Sequence, residues 1–585
     1  MALSTPSASP AVVVKEIDLT GGVPNVQSTT GAIVGNFRWG PAEQRVLIDN
    51  ETNLANTFAS PDSANTIDWH SASYFLRYSG SLQVVREVTS DALNARSSTG
   101  QLATDSDGGL GTPVVKNETD FLGQEAALAA ASHTFVAKYP GELGNGIKVS
   151  ICPPDATAFS TWAYKDEFDT APGTSNYATD AGALNDEVHL VIVDSGGEFT
   201  GSRGTVLERY PFMSVGTNAK NTDGTTNYVV DAVNTRSDFV WMTGFDSDFS
   251  TAGAGTNIDN GDNFDPSALT AASNYKLTKG ANSAALGTSE FLSGFDLFED
   301  KDIVEVDFLI APGMASRENQ ATVVNDLITT AQSLRKDCVV AASPARSDMV
   351  NLTNTATMTT NIVTTANMFT NSSYLVTDAN YLKIYDKFND QYINIPASSS
   401  TAGIMAATDL NRAPWFSPAG SRRGQYLGIT AISYSPTKSQ RDTLYKAGVN
   451  PIANIPGQGV LLFGDKTKLG RPSAFDRINV RRLFLVLERA IGRAAEQVMF
   501  EFNDEFTRAE FVNIVEPVLR EVKGRRGITD FRVVCDETNN TPAIVDRNEF
   551  IANIFIKPAR SINYVTLNFV AVRTGVDFEE VVGTV

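Results

Sequence analysis

The chain alternates between two patterns of hydrophobic and polar positions. Thr30-Gly-Ala-Ile-Val-Gly35 is a short, almost uninterrupted apolar run, and Arg38-Trp-Gly-Pro41 follows as a turn. Such a run is what a strand buried on both faces requires. Thr66 to Tyr78 has helical spacing, and Leu82-Gln-Val-Val-Arg86 reads as another strand. The same pattern returns at Ile303-Val-Glu-Val-Asp-Phe-Leu-Ile310, then a helix over about 318–335 carrying Val323, Leu327 and Leu334, then the strand Cys338-Val-Val-Ala-Ala342. Strand, crossover helix and strand in that order predict a parallel pair. The Thr/Asn-rich stretch 351–373 has spaced Ile, Val and Met that permit a capped helix. Between these regions, 97–112 reads as a loop or small insertion. Residues 155–300 form irregular surface material with short strands such as Val188-His-Leu-Val-Ile-Val193.

The C-terminal segment is more regular. From Arg481 to Glu501, Phe484, Leu487, Ile491, Ala495 and Val498 fall within ~40° of one line of a helix, while Arg482, Arg489 and Arg493 line up about 200° away. A second helix carries Phe511, Ile514, Val515, Val518, Leu519 and Val522, ends at Gly524 and contains Pro517. Strands are expected at Phe531–Cys535, Phe550–Ile556 and Tyr564–Val572.

Both ends have a different character. The first ten residues are mostly small, with Pro6 and Pro10, and precede a β-prone run containing Val12, Val13, Val14 and Ile17. A β-prone tail with Val576, Phe578, Val581 and Val582 closes the chain. Each can join a neighbour's sheet edge, and the simpler alternative for the first is a strand of its own domain. The predicted fold is multidomain α/β (α+β): a core interrupted by a β-rich surface insertion, a C-terminal α/β domain, and an extended arm at each end. The expected boundaries are 1–20 for the first arm, 21–95 for the first part of the core and 96–302 for the insertion, with 130–152 assigned to the core. The second part of the core is 303–470, the C-terminal domain 471–575 and the last arm 576–585.

Composition narrows the function. At 585 residues the chain exceeds what one core accommodates. Its net charge of −20 disfavours nucleic acid as a main partner, since phosphate recognition needs a basic surface. Residues 471–585 carry 16 basic and 17 acidic side chains, so nearly all of the acidity lies upstream of a balanced C-terminal end. No apolar run has the length of a membrane span, and the N-terminal residues do not read as a secretory signal, so assembly in a cytoplasm is expected. Three distant cysteines, Cys152, Cys338 and Cys535, imply no disulfide framework.

Candidate chemistry is sparse. His70, His133 and His189 lie in separate segments without metal-ligand spacing. Gly459-Val-Leu-Leu-Phe-Gly464-Asp-Lys466-Thr467 is the nearest approach to a phosphate-binding loop, but Asp465 stands where the loop lysine belongs. Thr104–Gly109 and Asp259–Asp265 lack the ligand spacing of a calcium loop. No catalytic, cofactor-binding or metal-ligating residue is expected.

Several segments carry a family resemblance in a consistent order: Ser9-Pro-Ala-Val-Val-Val-Lys-Glu-Ile17, Ser28–Gly35 with Gly40-Pro41, Tyr139-Pro-Gly-Glu-Leu-Gly-Asn-Gly-Ile147, and Trp415-Phe-Ser-Pro-Ala-Gly-Ser-Arg-Arg-Gly424. Ala447–Ile452 with Pro456–Val460, Ile478–Leu483, Phe500–Asn503 and Cys535–Asn540 complete the set. The chain resembles the contractile tail sheath proteins of myovirus-type bacteriophages over roughly half its length, with 155–300 outside the match.

The resemblance implies a virion structural protein and not an enzyme, a homo-oligomer with six copies per ring stacked around an inner tube. Its expected partners are the tail tube, baseplate and tail terminator proteins, with no cofactor, no nucleic acid and no membrane insertion. The terminal arms would pair with a neighbour's C-terminal domain, and contraction would drive the tube through the host envelope. For tube contact the candidates are Arg482, Arg489 and Arg493, set against a stripe of solvated or internally paired arginines. A sheath of a bacteriocin or secretion system is the alternative within the class. A nucleotide-binding enzyme and a surface-layer protein or adhesin are the alternatives outside it.

Overall fold

The structure is a computed structural model that describes residues 29–97, 114–130, 134–245, 253–264 and 271–563. The chain first lays down β1 (Gly31–Gly35), β2 (Arg45–Ile48) and β3 (Leu82–Arg86). It then forms β4 (Arg96–Ser97), β5 (Phe135–Ala137), β6 (Ile147–Cys152), β7 (Glu187–Asp194), β8 (Thr205–Ser214), β9 (Val240–Met242) and β10 (Ser273–Thr278). It returns with β11 (Phe308–Ile310), β12 (Val339–Ala342) and β13 (Leu375–Asp378). After β14 (Tyr381–Asp386), β15 (Gln391–Pro396) and β16 (Ala431–Ile432) comes β17 (Val449–Asn450). Two hairpin pairs finish the series: β18 (Ile452–Ile455) with β19 (Gly459–Leu462), and β20 (Ile528–Val534) with β21 (Asn553–Pro558).

The first sheet has the order β17-β13-β12-β11-β1-β3-β2 and is parallel except for β2. Its strands read as unbroken apolar runs because both faces are covered. Ala32, Val34, Leu309, Ala311, Val340 and Ala342 meet Phe291 and Phe295 of the helix Thr288–Asp296 and Val323 and Leu327 of the helix Arg317–Thr329. The alternate residues Ile33, Phe308, Ile310, Val339 and Ala341 meet Trp69 and Phe75 of the helix Thr66–Leu76 and Ala402 and Met405 of the helix Ser398–Asn411. This alternation is the period-two geometry of a strand. Gly31 is needed for close packing, since a Cβ there would lie 2.7 Å from the Phe75 ring.

The second sheet, β8-β7-β6-β10-β4-β5-β9, is antiparallel and has its own core, including Val149, Ile151, Leu190, Ile192 and Val233. It is an insertion between β3 and β11. Two assignments in and around this insertion differ from those expected. Residues 130–152, expected in the core, supply β5 and β6 to the inserted sheet, because their pairing partners β4, β7, β9 and β10 are all there. The helix Thr288–Asp296, expected in the insertion, packs on the parallel sheet through Phe291 and Phe295, so the core resumes before residue 303. The stretch 155–300 is also more regular than its composition implied, with β7 and β8 running eight and ten residues.

Arg86 ties insertion to core. At the end of β3 its guanidinium is buried and donates to the carbonyls of Phe37 (2.8 Å), Gly40 (2.7 Å) and Pro140 (2.6 Å). Five donors in a rigid fork let arginine satisfy three carbonyls at once.

Contacts divide the chain into two compact units. The larger comprises residues 26–414 and 418–489, and the smaller contains Trp415–Ser417 and 490–563 among the described residues. The boundary at Ala490 lies inside the helix Ile478–Glu496, later than the expected 471, because the first three turns of that helix pack in the larger unit. In the smaller unit the helix Glu505–Gly524 buries Phe511, Val515, Leu519 and Val522, with Pro517 retained inside it. Asp504 caps its N-terminus by accepting from Thr507 N. Asn540 clasps the following loop through Ile551 O (2.8 Å) and Ile551 N (2.9 Å).

Candidate functional site

The helix Ile478–Glu496 carries the three arginines assigned to tube contact. Ile478 and Leu485 belong to the core cluster beneath the parallel sheet. At 3.6 residues per turn, Arg482 and Arg489 share that face, one turn from each. The expectation that the arginine line faces outward is therefore corrected for two of its members. Arg482 is buried, binds both carboxylate oxygens of Asp409, donates to Met405 O (2.9 Å) and lies 4.7 Å from the centre of the Phe308 ring. Arg489, with its side chain 11% exposed, pairs with Asp307 at 2.8 Å and approaches Asp337 at 3.8 Å. Arg493 is half-buried. Amphipathic reasoning sends charge to solvent, but a fork matched to a carboxylate can be buried when the partner is in place.

The neighbouring arginines reinforce this. Arg481 is stacked between the rings of Tyr374 (4.3 Å) and Phe475 (4.2 Å) and donates to Ser373 Oγ at 2.6 Å. Arg477 pairs with Asp465 at 2.9 Å, and Tyr445 donates to the same carboxylate at 3.2 Å. The loop considered for phosphate is thus internally occupied: Asp465 is buried, and Lys466 donates to Tyr445 O at 2.9 Å and sits over its ring.

Open α/β sheets ordinarily hold ligands at the C-terminal ends of their strands. Beyond β12 and β13 that region holds the chain's own polar groups. Ser343 Oγ donates to Asp378 at 2.9 Å, Thr401 at 3.2 Å, and Ser398 Oγ donates to Ala311 O at 3.0 Å. All four of these side chains are fully buried, and burial pushes the Asp378 carboxyl up to about 7. The effect is to fix the start of the helix Ser398–Asn411, which delivers Asp409 to Arg482.

The two described histidines are packed into the fold. His70 lies 3.1 Å from Asp386 in the core, and His189 is stacked on Phe168 with Nε2 at 2.8 Å from Thr170 O. His133 and the 104–109 segment lie outside the described residues. Among the described residues, no group of three or more His, Cys, Asp or Glu could hold a metal ion, and no helix is long and apolar enough to cross a membrane. The arm residues Val12, Val13, Val14, Ile17, Val576, Phe578, Val581 and Val582 also lie outside the described residues. Sequence reasoning missed the carboxylate partners Asp307, Asp337 and Asp409. Asp409 sits on a helix of small residues whose only sequence signal is the Ser398–Thr401 run.

In this arrangement the buried polar groups bind the fold together, in a chain whose architecture is multidomain α/β. Residues 284–468 match the phage tail sheath protein central domain, and residues 471–571 the phage tail sheath C-terminal domain. The chain is 32% identical to the tail sheath protein of Vibrio phage KVP40, and 32% identical to that of Enterobacteria phage T4, in each case over 98% of this chain and 99% of the relative. In fold it is similar to the crystal structure of a sheath tail protein from Listeria innocua, with a TM-score of 0.52 at 13% identity over 92% of this chain and 93% of that one. The chain belongs to the family of phage tail sheath proteins, structural components of contractile tails.

Proposed function

We propose that this chain assembles as six-membered rings stacked around an inner tail tube, and that the cylinder shortens to drive the tube through a host envelope. Similarity over 98% of the chain to tail sheath proteins supports this reading. The partners it implies are the tube, baseplate and tail terminator proteins, with assembly in the host cytoplasm.

The mechanism requires copies that stay linked while they reorient. The smaller unit supports such linkage: among the described residues, β20 and β21 pair only with each other. A two-stranded ribbon is marginal alone, and further strands would complete it. The arms at 1–20 and 576–585 supply β-prone chain for that addition. Each backbone hydrogen bond in an added strand contributes ~0.5–1.5 kcal/mol net, so several arms together approach the ~5–15 kcal/mol stability of a domain. Links of that strength persist while weaker contacts between bodies exchange. Shortening then draws on the free energy of a metastable lattice, without nucleotide.

Electron microscopy of the purified full chain tests this directly. Hollow cylinders or rings are expected, and removal of residues 1–20 and 576–585 should abolish ordered cylinders. Cylinders formed equally well by the truncated chain would overturn arm exchange.

A further inference from the structure

We propose that the smaller unit of one copy docks on that of a second copy, its exposed rings Phe500, Phe502 and Phe506 receiving Arg532, Phe555 and Lys557 of the other. This rests on the self-assembly reading above and names the residues of one subunit contact.

Phe500 is fully exposed, Phe502 is 82% and Phe506 77% exposed, and Met499 beside them is exposed as well. Single exposed apolar residues are ordinary, but four within eight residues form a patch of the kind that marks a contact. Polar ties hold the loop that carries them. Asn503 donates to Glu549 O (2.8 Å) and accepts from Arg508 Nε (2.8 Å), while Arg508 donates to Asn503 O (3.0 Å). A helix start commonly packs an apolar residue just before the cap against one just inside the helix. Around the cap Asp504 those two positions are Asn503 and Arg508, so the rings are left facing out. Phe500 also has a left-handed backbone, with φ 70°, which an aromatic residue rarely adopts outside a fixed loop.

The second surface is the outer face of the ribbon β20–β21. Phe531, Val533, Ile554 and Ile556 are half-buried, while the alternate residues Arg532, Phe555 and Lys557 are exposed, Phe555 by 60%. Arg532 stands opposite Phe555 in the register, and Lys557 opposite Asp530. Strand addition uses the edges of a ribbon, so an added arm does not occupy this face.

Charge makes the two surfaces complementary. Residues 499–510 carry four acidic side chains, all exposed, and one basic side chain, the buried Arg508. Residues 520–532 carry five basic and two acidic side chains, and exposed Lys557 and Arg560 add to the positive total. Glu501 lies between two of the rings, and Glu510 follows Phe506 by one helical turn. A guanidinium over an aromatic face and ring-on-ring contact are both favourable, and arginine and aromatic residues are enriched at the centres of interfaces. Neither surface covers the other within one copy, because the rings on both are exposed. Two different surfaces that meet between copies make a heterologous contact, which repeats into rings or helices.

Three versions of the full chain test the contact: F502A/F506A, E501K/E510K and R532E/K557E. Each should raise the concentration needed for assembly roughly tenfold at ~0.1 M salt, read by sedimentation. F502A/F506A should melt within ~2 °C of the unaltered chain, since the rings it removes are exposed. An equimolar mixture of the two charge-reversed versions should recover to within about threefold, each reversed surface then meeting its opposite. Unchanged assembly of F502A/F506A, or a mixture that fails to recover, would overturn the contact while leaving the sheath reading intact. Weakened assembly of F502A/F506A on purified tubes alone would give the rings to the tube and overturn the contact as well. A melting temperature lowered by more than ~5 °C would give them to the fold, with the same result. An unaltered chain that assembles under no salt condition would overturn the self-assembly reading, and this contact with it.

Discussion

Arg489 stands 2.8 Å from Asp307, and Asp307 also accepts the backbone N–H of Thr30 at 3.0 Å. One carboxylate thus joins the entry to β1, the entry to β11 and the helix Ile478–Glu496. Arg482, two turns earlier, does the same for the helix Ser398–Asn411 through Asp409. These pairs hold the first turns of the helix Ile478–Glu496 against the parallel sheet within the larger unit, where a tube-contact role had been expected of them.

Cutting one partner of such a pair is costly because the other charge stays buried. Asp409→Ala should destabilise the larger unit by about 3–5 kcal/mol, while the combined change Arg482→Leu and Asp409→Leu should cost much less. Urea midpoints of the full-length variants compare the two. An Asp409→Ala loss under about 1 kcal/mol would show the pair to be unimportant.

Glu87 follows β3, is 2% exposed, and among the described residues its Oε1 has no hydrogen-bond partner. Burial, with repulsion from Glu43, pushes its carboxyl from 4.5 up to about 8. Between those values the folded state holds a proton that the unfolded state has released, so stability falls as pH rises across the window. Glu87→Gln removes that dependence and should stabilise by roughly 1–3 kcal/mol at pH 8, with little effect at pH 4. Denaturation at both pH values decides it, and equal effects would refute the assignment.

Arg86→Met would leave the carbonyls of Phe37, Gly40 and Pro140 without their buried donor. Each orphaned group costs about 1–3 kcal/mol, so a total loss above about 3 kcal/mol is expected. Limited proteolysis should cut between the two sheets sooner than in the unaltered chain. Identical digestion would mean that Arg86 does not fasten the insertion.

Of the three arginines first assigned to the tube, Arg493 is the one that lies beyond the part of the helix packed in the larger unit. Arg493→Glu should reduce tube-templated assembly at low salt, where screening is weakest. Micrographs of tubes with variant and unaltered chain would show shorter or fewer cylinders, and equal lengths would remove Arg493 from that role.

The sequence by itself determined the parallel core, because strands buried on both faces must be written as apolar runs. Gly31–Gly35, Leu82–Arg86 and Val339–Ala342 were all legible in this way. It also determined the helix Glu505–Gly524, whose apolar positions recur at helical spacing. Only the tertiary structure decided where Arg482 and Arg489 point and which sheet receives residues 135–152. Both outcomes depend on partners distant along the chain: Asp409 and Asp307 for the arginines, β7, β9 and β10 for the strands. A local pattern records how often a face is polar. Whether that polarity meets water or a buried carboxylate is settled by long-range packing.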